Sequence, residues 1–471
     1  MLFHEKIFVI FFFVVFFLYW LVCKKRSSQN LLIFISSYVF YGWWDWRFLI
    51  LIFVSSMIDF FVAKKIENED DVNTRKHLLW ISLFINLGFL GVFKYLNFFI
   101  GSASDLLGVF GMNANLPTLS IILPVGISFY TFQTLSYTFD VYYKKRDAEK
   151  SIVDFFAYVS FFPQLVAGPI ERSTHLLPQF KKDRVFNLPL AYSGLRQMLW
   201  GYVKKIVIAD QMAIYVNDIF QNYSQYSSSA LAVGAICFAF QIYGDFSGYS
   251  DIAIGLSKLF GFDLMTNFKF PYFARNISEF WERWHISLSG WFREYLYIPL
   301  GGGRGGINLK IRNVFIVFLV SGFWHGANWT FVAWGVVHGL LYIPYVLLEG
   351  KGPKGINNGF FNLPLMLVNF SLVCIAWVFF RSLDLTNSLN YLSRMFSFTN
   401  EGGVGSLEKV TSSYLIIFCF FILGEWLIYK GYKFLDIYKF PRAVRWAGYY
   451  VLVFTCLLYL RGKTDFIYFQ F

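Results

Sequence analysis

Charge is what this sequence has least of. Only 15% of its 471 residues are Asp, Glu, Lys or Arg, against about 25% in soluble globular chains. No polar stretch is long enough to make a separate water-soluble domain, which excludes the two or three soluble domains that length alone would suggest. Paired cysteines are also missing. Cys23, Cys237, Cys374, Cys419 and Cys456 are scattered, mostly inside apolar runs, so they form no disulfide framework and no zinc or other metal site, and read as buried thiols. There is no internal repeat and no low-complexity linker, which weighs against an inverted-repeat transporter.

What is present is apolar and aromatic: 57% hydrophobic and 22% Phe, Trp and Tyr. Runs near the roughly 20-residue helical span recur along the chain, predicting an all-α polytopic membrane protein with about 11 transmembrane helices plus re-entrant or interfacial ones. The net charge of +12 sits in short clusters between apolar runs. That is the pattern of cytoplasmic loops and lipid-surface anchoring rather than of nucleic-acid binding. The first run, Ile7 to Val22, precedes Lys24-Lys25-Arg26 and lacks a small-residue cleavage site, so it reads as a retained span with its N-terminus outside. The next cluster, Lys64 to Lys76, then requires two crossings between them, turning near Trp43-Trp44-Asp45-Trp46.

Further spans are expected at about Leu78–Ile100, Ile121–Tyr143, Leu190–Phe220, Ala230–Phe260, Val314–Trp324, Trp329–Leu348, Leu363–Phe380, Tyr414–Tyr429 and Trp446–Leu460. Phe155 to Ile170 is broken by Pro163 and Gly168-Pro169 and reads as a protein-shielded hairpin. Lys204-Lys205 must snorkel or face the bundle interior.

The chemistry concentrates between Ser278 and Trp329. Asn276 three positions before Glu279 is a capping-box-like start. An amphipathic helix is expected to follow, carrying Trp281, Trp284, His285, Leu288, Phe292 and Tyr295 on one face and ending at Pro299. The loop Gly301 to Gly306 lacks the order of a phosphate-binding loop. It is a hinge or, through Arg304, a phosphate contact.

From Asn313 to Leu348 there is no charged residue. One helix of that length would measure about 54 Å at 1.5 Å per residue, against about 30 Å of hydrocarbon. It must break, and the only break signal near its middle is His325-Gly326-Ala327-Asn328. An imidazole at such a break is a candidate catalytic residue. His338 falls about 220° further round a continuous helix and reads as structural; His4, His77 and His175 read as incidental. Gln241, Tyr243, Asp245, Ser247, Trp324 and Asn328 are candidates to line a substrate path, although packing around Gly244 and Gly248 explains the first four nearly as well.

The motifs together resemble the membrane-bound O-acyltransferase family, in its alginate O-acetyltransferase-like branch. They are Leu123 to Gln133, Phe162 to Pro169, Tyr243 to Asp251, Phe280-Trp-Glu-Arg-Trp-His-Ile-Ser-Leu-Ser289, Gly322-Phe-Trp-His-Gly-Ala-Asn-Trp329, Trp377 to Arg381 and Phe466 to Phe471. The resemblance implies one integral membrane domain over residues 1–471, with a catalytic core at about 120–381 and a tunnel through the bundle. It implies acetyl-CoA as acyl donor on the cytoplasmic side, no bound cofactor, and a place in the bacterial inner membrane. The acceptor it implies is an exported polymer such as alginate, peptidoglycan or cellulose, served through an extracytoplasmic acetyltransferase partner. His325 takes the catalytic position, as general base or transient acyl carrier, and His285 the second signature position. Arg283, Arg293 and Arg304, with Arg275, Lys310 and Arg312 nearby, are candidate partners for the CoA phosphates. A polysaccharide or lipid-linked sugar transporter, or a membrane scaffold for a secreted-side enzyme, are the competing readings.

Overall fold

The computed structural model describes residues 1–112, 117–119, 121–348, 362–398, 402–431, 440–460 and 466–467; of the terminal motif, only Phe466 and Ile467 lie among them. Apart from an isolated bridge between Tyr226 and Gly403, the regular structure of the described residues is helical. Among the described residues, seven helical stretches are long and apolar enough to cross a membrane: Trp46–Glu67, Val72–Val109, Ser228–Leu259, Ile307–His325, Trp329–Leu347, Leu363–Arg381 and Ser412–Tyr429. The other expected spans are helical but shorter, or carry charges and hydroxyls.

The chain forms two compact units. The first, Met1–Leu195 with Ile252–Met265, contains α1 (Lys6–Phe17), α2 (Arg26–Gly42), α3 (Leu49–Glu67), α4 (Val72–Leu90), α5 (Leu96–Val109), α6 (Ile127–Tyr142), α7 (Ile152–Val159) and the single turn α8 (Leu177–Phe180). Polar side chains buried between its helices satisfy one another. Asn86 donates to Asp59 at 3.0 Å, and Asn30 donates to Asp154 at 2.8 Å. The expected hairpin is α7 followed by turns through Pro163 and irregular chain through Pro169, and residues 154–173 are all buried. Its irregular backbone is shielded by protein, as low-dielectric surroundings require.

The second unit, Arg196–Asp251 with Thr266–Phe471, holds the chemistry-bearing stretch. It comprises the end of α9 (Leu188–Tyr202), α10 (Asp210–Gln221), most of α11 (Ser228–Leu259), the short α12 (Ile277–Trp281) and α13 (Ile286–Phe292), then α14 (Ile307–His325), α15 (Trp329–Leu347), α16 (Leu363–Arg381), α17 (Leu385–Met395), α18 (Ser412–Tyr429) and α19 (Arg442–Tyr459). A wide π-helical stretch, Val203–Ala209, joins α9 to α10. It turns Lys204 and Lys205 inward, where both are buried. The core is largely aromatic, with Trp284, Trp334 and Trp377 at 1% exposure or less.

Candidate active site

α14 ends at His325 because Gly326 leaves the helix for extended backbone (φ −161°, ψ 152°). Asn328 then starts α15: its Oδ1 accepts from the Thr330 amide at 3.0 Å, satisfying an orphan donor of the first turn. Its amide donates to the Leu383 carbonyl at 2.8 Å, so Asn328 is committed to holding the turn. The two helices fold back on each other through glycines. A Cβ at Gly322 would collide with the Phe331 carbonyl oxygen, and one at Gly335 with that of Phe318. The length argument and the break signal located this turn correctly.

His325 is 3% exposed and sits among rings: Trp324 at 4.9 Å, Trp334 at 5.0 Å and Phe380 at 5.4 Å between centroids. Trp324 also meets His285, at 6.1 Å, so one indole touches both signature histidines. Because α14 stops at His325, the rotation argument for His338 does not apply. One indole, Trp334, lies against both rings, 5.0 Å from His325 and 4.7 Å from His338.

The expectation of one helix through His285 is corrected. α12 stops at Trp281, and His285 adopts a left-handed conformation (φ 44°, ψ 53°) before α13. The cause is a neighbouring segment that captures the backbone. Lys269 donates to the Arg283 carbonyl at 2.9 Å, and Ile286 donates to the Asn267 carbonyl at 2.9 Å. The Asn276 cap is as expected, accepting from the Glu279 amide at 2.9 Å, but Glu279 reaches the Arg275 amide at 2.8 Å rather than that of Asn276. Left-handed backbone on a non-glycine residue is costly and clusters at functional sites.

His285 is fully buried. Its Nδ1 lies 3.2 Å from Asn267 Oδ1, an oxygen that also accepts from the Ser287 hydroxyl at 2.9 Å, while Asn267 Nδ2 donates to Ser250 Oγ at 3.2 Å. An acceptor facing Nδ1 places the proton there and leaves the lone pair on Nε2. Burial pushes this imidazole down to about 3, so it is neutral at physiological pH. Phe246 packs edge-on against it at 4.7 Å.

The α11 candidates lie beside this site, next to a network of two lysines and four carboxylates. Asp245 meets Lys205 at 2.7 Å and accepts from the Ile467 amide at 2.6 Å. Lys205 also pairs with Asp210 at 2.9 Å. The Tyr243 hydroxyl donates to Glu425 at 2.5 Å, and Lys204 bridges Asp251 at 3.1 Å and Glu425 at 3.5 Å. Gln241 and Ser247 are buried on the same helix. Glu425, Asn267, Phe246 and Trp334 were missed by sequence reasoning. Only Glu425 carried a signal, as the lone charge inside α18.

The arginines separate into two groups. Arg275 and Arg283 both pair with Glu279, Arg275 at 3.0 Å. Arg293 and Arg304 are exposed. The glycine loop has positive φ at Gly301, Gly302, Gly305 and Gly306. Buried Asn313 ties it to α14 by donating to the Gly302 carbonyl at 2.9 Å, and Arg312 is turned toward Asn313 at 2.9 Å.

Residues 146–345 match the family model of the membrane-bound O-acyltransferases. The chain is 41% identical to the probable alginate O-acetylase of Pseudomonas aeruginosa, over 79% of this chain and 70% of that protein. It is 35% identical to the peptidoglycan O-acetyltransferase of Helicobacter pylori, over 82% and 77%. It is 25% identical to the teichoic acid D-alanyltransferase of Bacillus subtilis, over 56% and 70%. Both signature histidines fall inside the matched region, and the apolar helices supply the membrane crossings such enzymes need. The chain belongs to the membrane-bound O-acyltransferase family, and is a multi-pass membrane enzyme that transfers acyl groups to oxygen.

Proposed function

We propose that this enzyme takes acetyl groups from acetyl-CoA on the cytoplasmic side of the bacterial inner membrane and passes them outward for O-acetylation of a cell-envelope polysaccharide. The alginate and peptidoglycan O-acetylating relatives support that acceptor class. In this reading the N-terminus is outside, the motif-bearing core of one catalytic domain covers about residues 120–381, and an extracytoplasmic acetyltransferase receives the group.

The observation that carries the site assignment is a buried imidazole at the turn between α14 and α15, enclosed by aromatic rings. An imidazole can take up and release a proton, which suits general-base work. His325 accepts the proton of an acceptor hydroxyl, the oxygen forms a bond to the thioester carbonyl carbon, the C–S bond breaks, and the proton on His325 passes to the departing thiolate to release the thiol. As a transient acyl carrier, the same nitrogen would first take the acyl group itself. His285, neutral and held through Asn267, sets the position of Trp324 between the two rings. Arg293 and Arg304, exposed and not drawn into a buried ion pair, suit the CoA phosphates better than Arg283.

The test is acetyl transfer from isotopically labelled acetyl-CoA in membranes carrying His325→Gln. Transfer is expected to vanish while membrane insertion is unchanged; full transfer in that variant would overturn the assignment. Polymer flux into vesicles lacking acetyl-CoA would establish transport instead.

A further inference from the structure

A cavity of about 790 Å³ lies within the second unit, and neither signature histidine lines it. Phe240, Met366, Phe370, Phe418, Phe421 and Ile422 line it, from α11, α16 and α18, and the turn Phe270 to Phe273 closes one side. That volume is in the range that encloses a small ligand, roughly 300–1,000 Å³. Its lining is almost wholly apolar. The polar pair in its wall, Tyr243 and Glu425, is already joined by a 2.5 Å hydrogen bond and asks nothing of an occupant.

Two observations identify what fills it. α16 and α18 are membrane-crossing helices, and cavity residues on their outer flanks, Leu367 and Leu423, are 56% and 49% exposed. The medium at the opening is therefore lipid hydrocarbon, not water. Just past the end of α18, Lys430 also lines the cavity, with its ammonium 4.7 Å from the Trp426 ring, while Phe273 packs on the same indole at 5.2 Å. A cation beside an aromatic collar is the arrangement found at the headgroup level of a bilayer.

We propose that this cavity binds one acyl chain of a membrane phospholipid, with the headgroup phosphate against Lys430. An occupant there keeps water from the wall that carries Glu425, and with it the Tyr243 and Lys204 contacts that hold α11 to α18. The site is independent of the acetylation reading, since it needs only the membrane setting.

The experiment uses the full-length protein reconstituted in nanodiscs of phosphatidylethanolamine and phosphatidylglycerol containing a phosphatidylglycerol with a diazirine on one acyl chain. Photo-cross-links are mapped by peptide mass spectrometry. Cross-links on interior residues Phe370 and Phe418 are expected, and Ile422→Trp, which fills the cavity, should remove them while those on outward-facing Leu367 persist. Should Ile422→Trp fail to insert, Lys430→Glu at the mouth should lower interior labelling several-fold with normal insertion. Labelling confined to Leu367 and Leu423 in the unmodified protein, or interior labelling unchanged by both variants, would overturn the proposal.

Discussion

Two regions of the second unit bury polar groups in apolar surroundings, and they do so in opposite ways. Around the π-helical stretch, Lys204 and Lys205 each meet two carboxylates: Asp251 and Glu425 for one, Asp210 and Asp245 for the other. Around the turn between α14 and α15, two imidazoles are walled by rings, and His285 is held by Asn267. Two ammonium groups shared among four carboxylates tie several helices together, and removing any one partner would leave a buried charge uncompensated. An uncharged imidazole costs less to bury than an ion. The first region has the character of framework; the second is the reaction site of the proposed function.

The largest expected break in that contrast is His325→Gln. Loss of a general base costs about 10²- to 10⁴-fold in rate, measured as labelled acetyl transfer, with no change in the amount of folded protein.

The framework should answer in the reverse sense. Lys205→Met strands Asp245 and Asp210, and removing one partner of a buried pair costs about 3–5 kcal/mol. Thermal unfolding in detergent should fall sharply, and a triple change with Asp245→Asn and Asp210→Asn should recover part of the loss. A Lys205→Met protein as stable as the parent would erase the distinction.

A smaller effect is expected at Asn267→Leu, which removes the acceptor facing Nδ1 of His285. An unmade buried hydrogen bond costs about 1–3 kcal/mol. Activity should drop roughly tenfold and be partly restored by Asn267→Asp, because a carboxylate also accepts from Nδ1. Since burial holds His285 down near 3, its own titration should leave no step in the pH profile of activity between pH 5 and 8.

The smallest effect lies in the first unit, which serves as the control. His175 is half-buried and bonded to Glu171 at 2.7 Å, which raises its pKa. Burial raises the pKa of Glu171 despite that bond. A histidine whose folded pKa is raised contributes stability that is full below about 6.5 and lost as pH rises through the folded value. Raising the Glu171 pKa acts in the same direction, in a window that opens near 4.5. The unit should therefore unfold slightly more readily at pH 8 than at pH 5.5, and His175→Gln should flatten the upper part of that slope.

Much of this was legible in one dimension. The break at His325 followed from arithmetic, since no uncharged helix of that length fits a bilayer. The inward turn of Lys204 and Lys205 was one of only two options for charges in an apolar run. The broken geometry at His285 was not legible, because periodicity describes a helix only while its own backbone bonds are made. Here Asn267 and Lys269, on a different segment, take them. Asn328 illustrates the converse: as a polar residue at a break it reads as a site candidate, but both ends of its amide are used in holding the turn.

By itself, the sequence determined composition-driven properties: the helical membrane class, the position of the forced turn, and the family through its motifs. Those depend on hydrocarbon thickness, helical rise and local residue type, all of which act within a segment. The tertiary structure alone decided which ring touches which. Trp324 between the two histidines, Glu425 joining Tyr243 and Lys204, and the apolar cavity walled by α11, α16 and α18 depend on side chains from helices far apart in the chain, and no local pattern specifies such meetings.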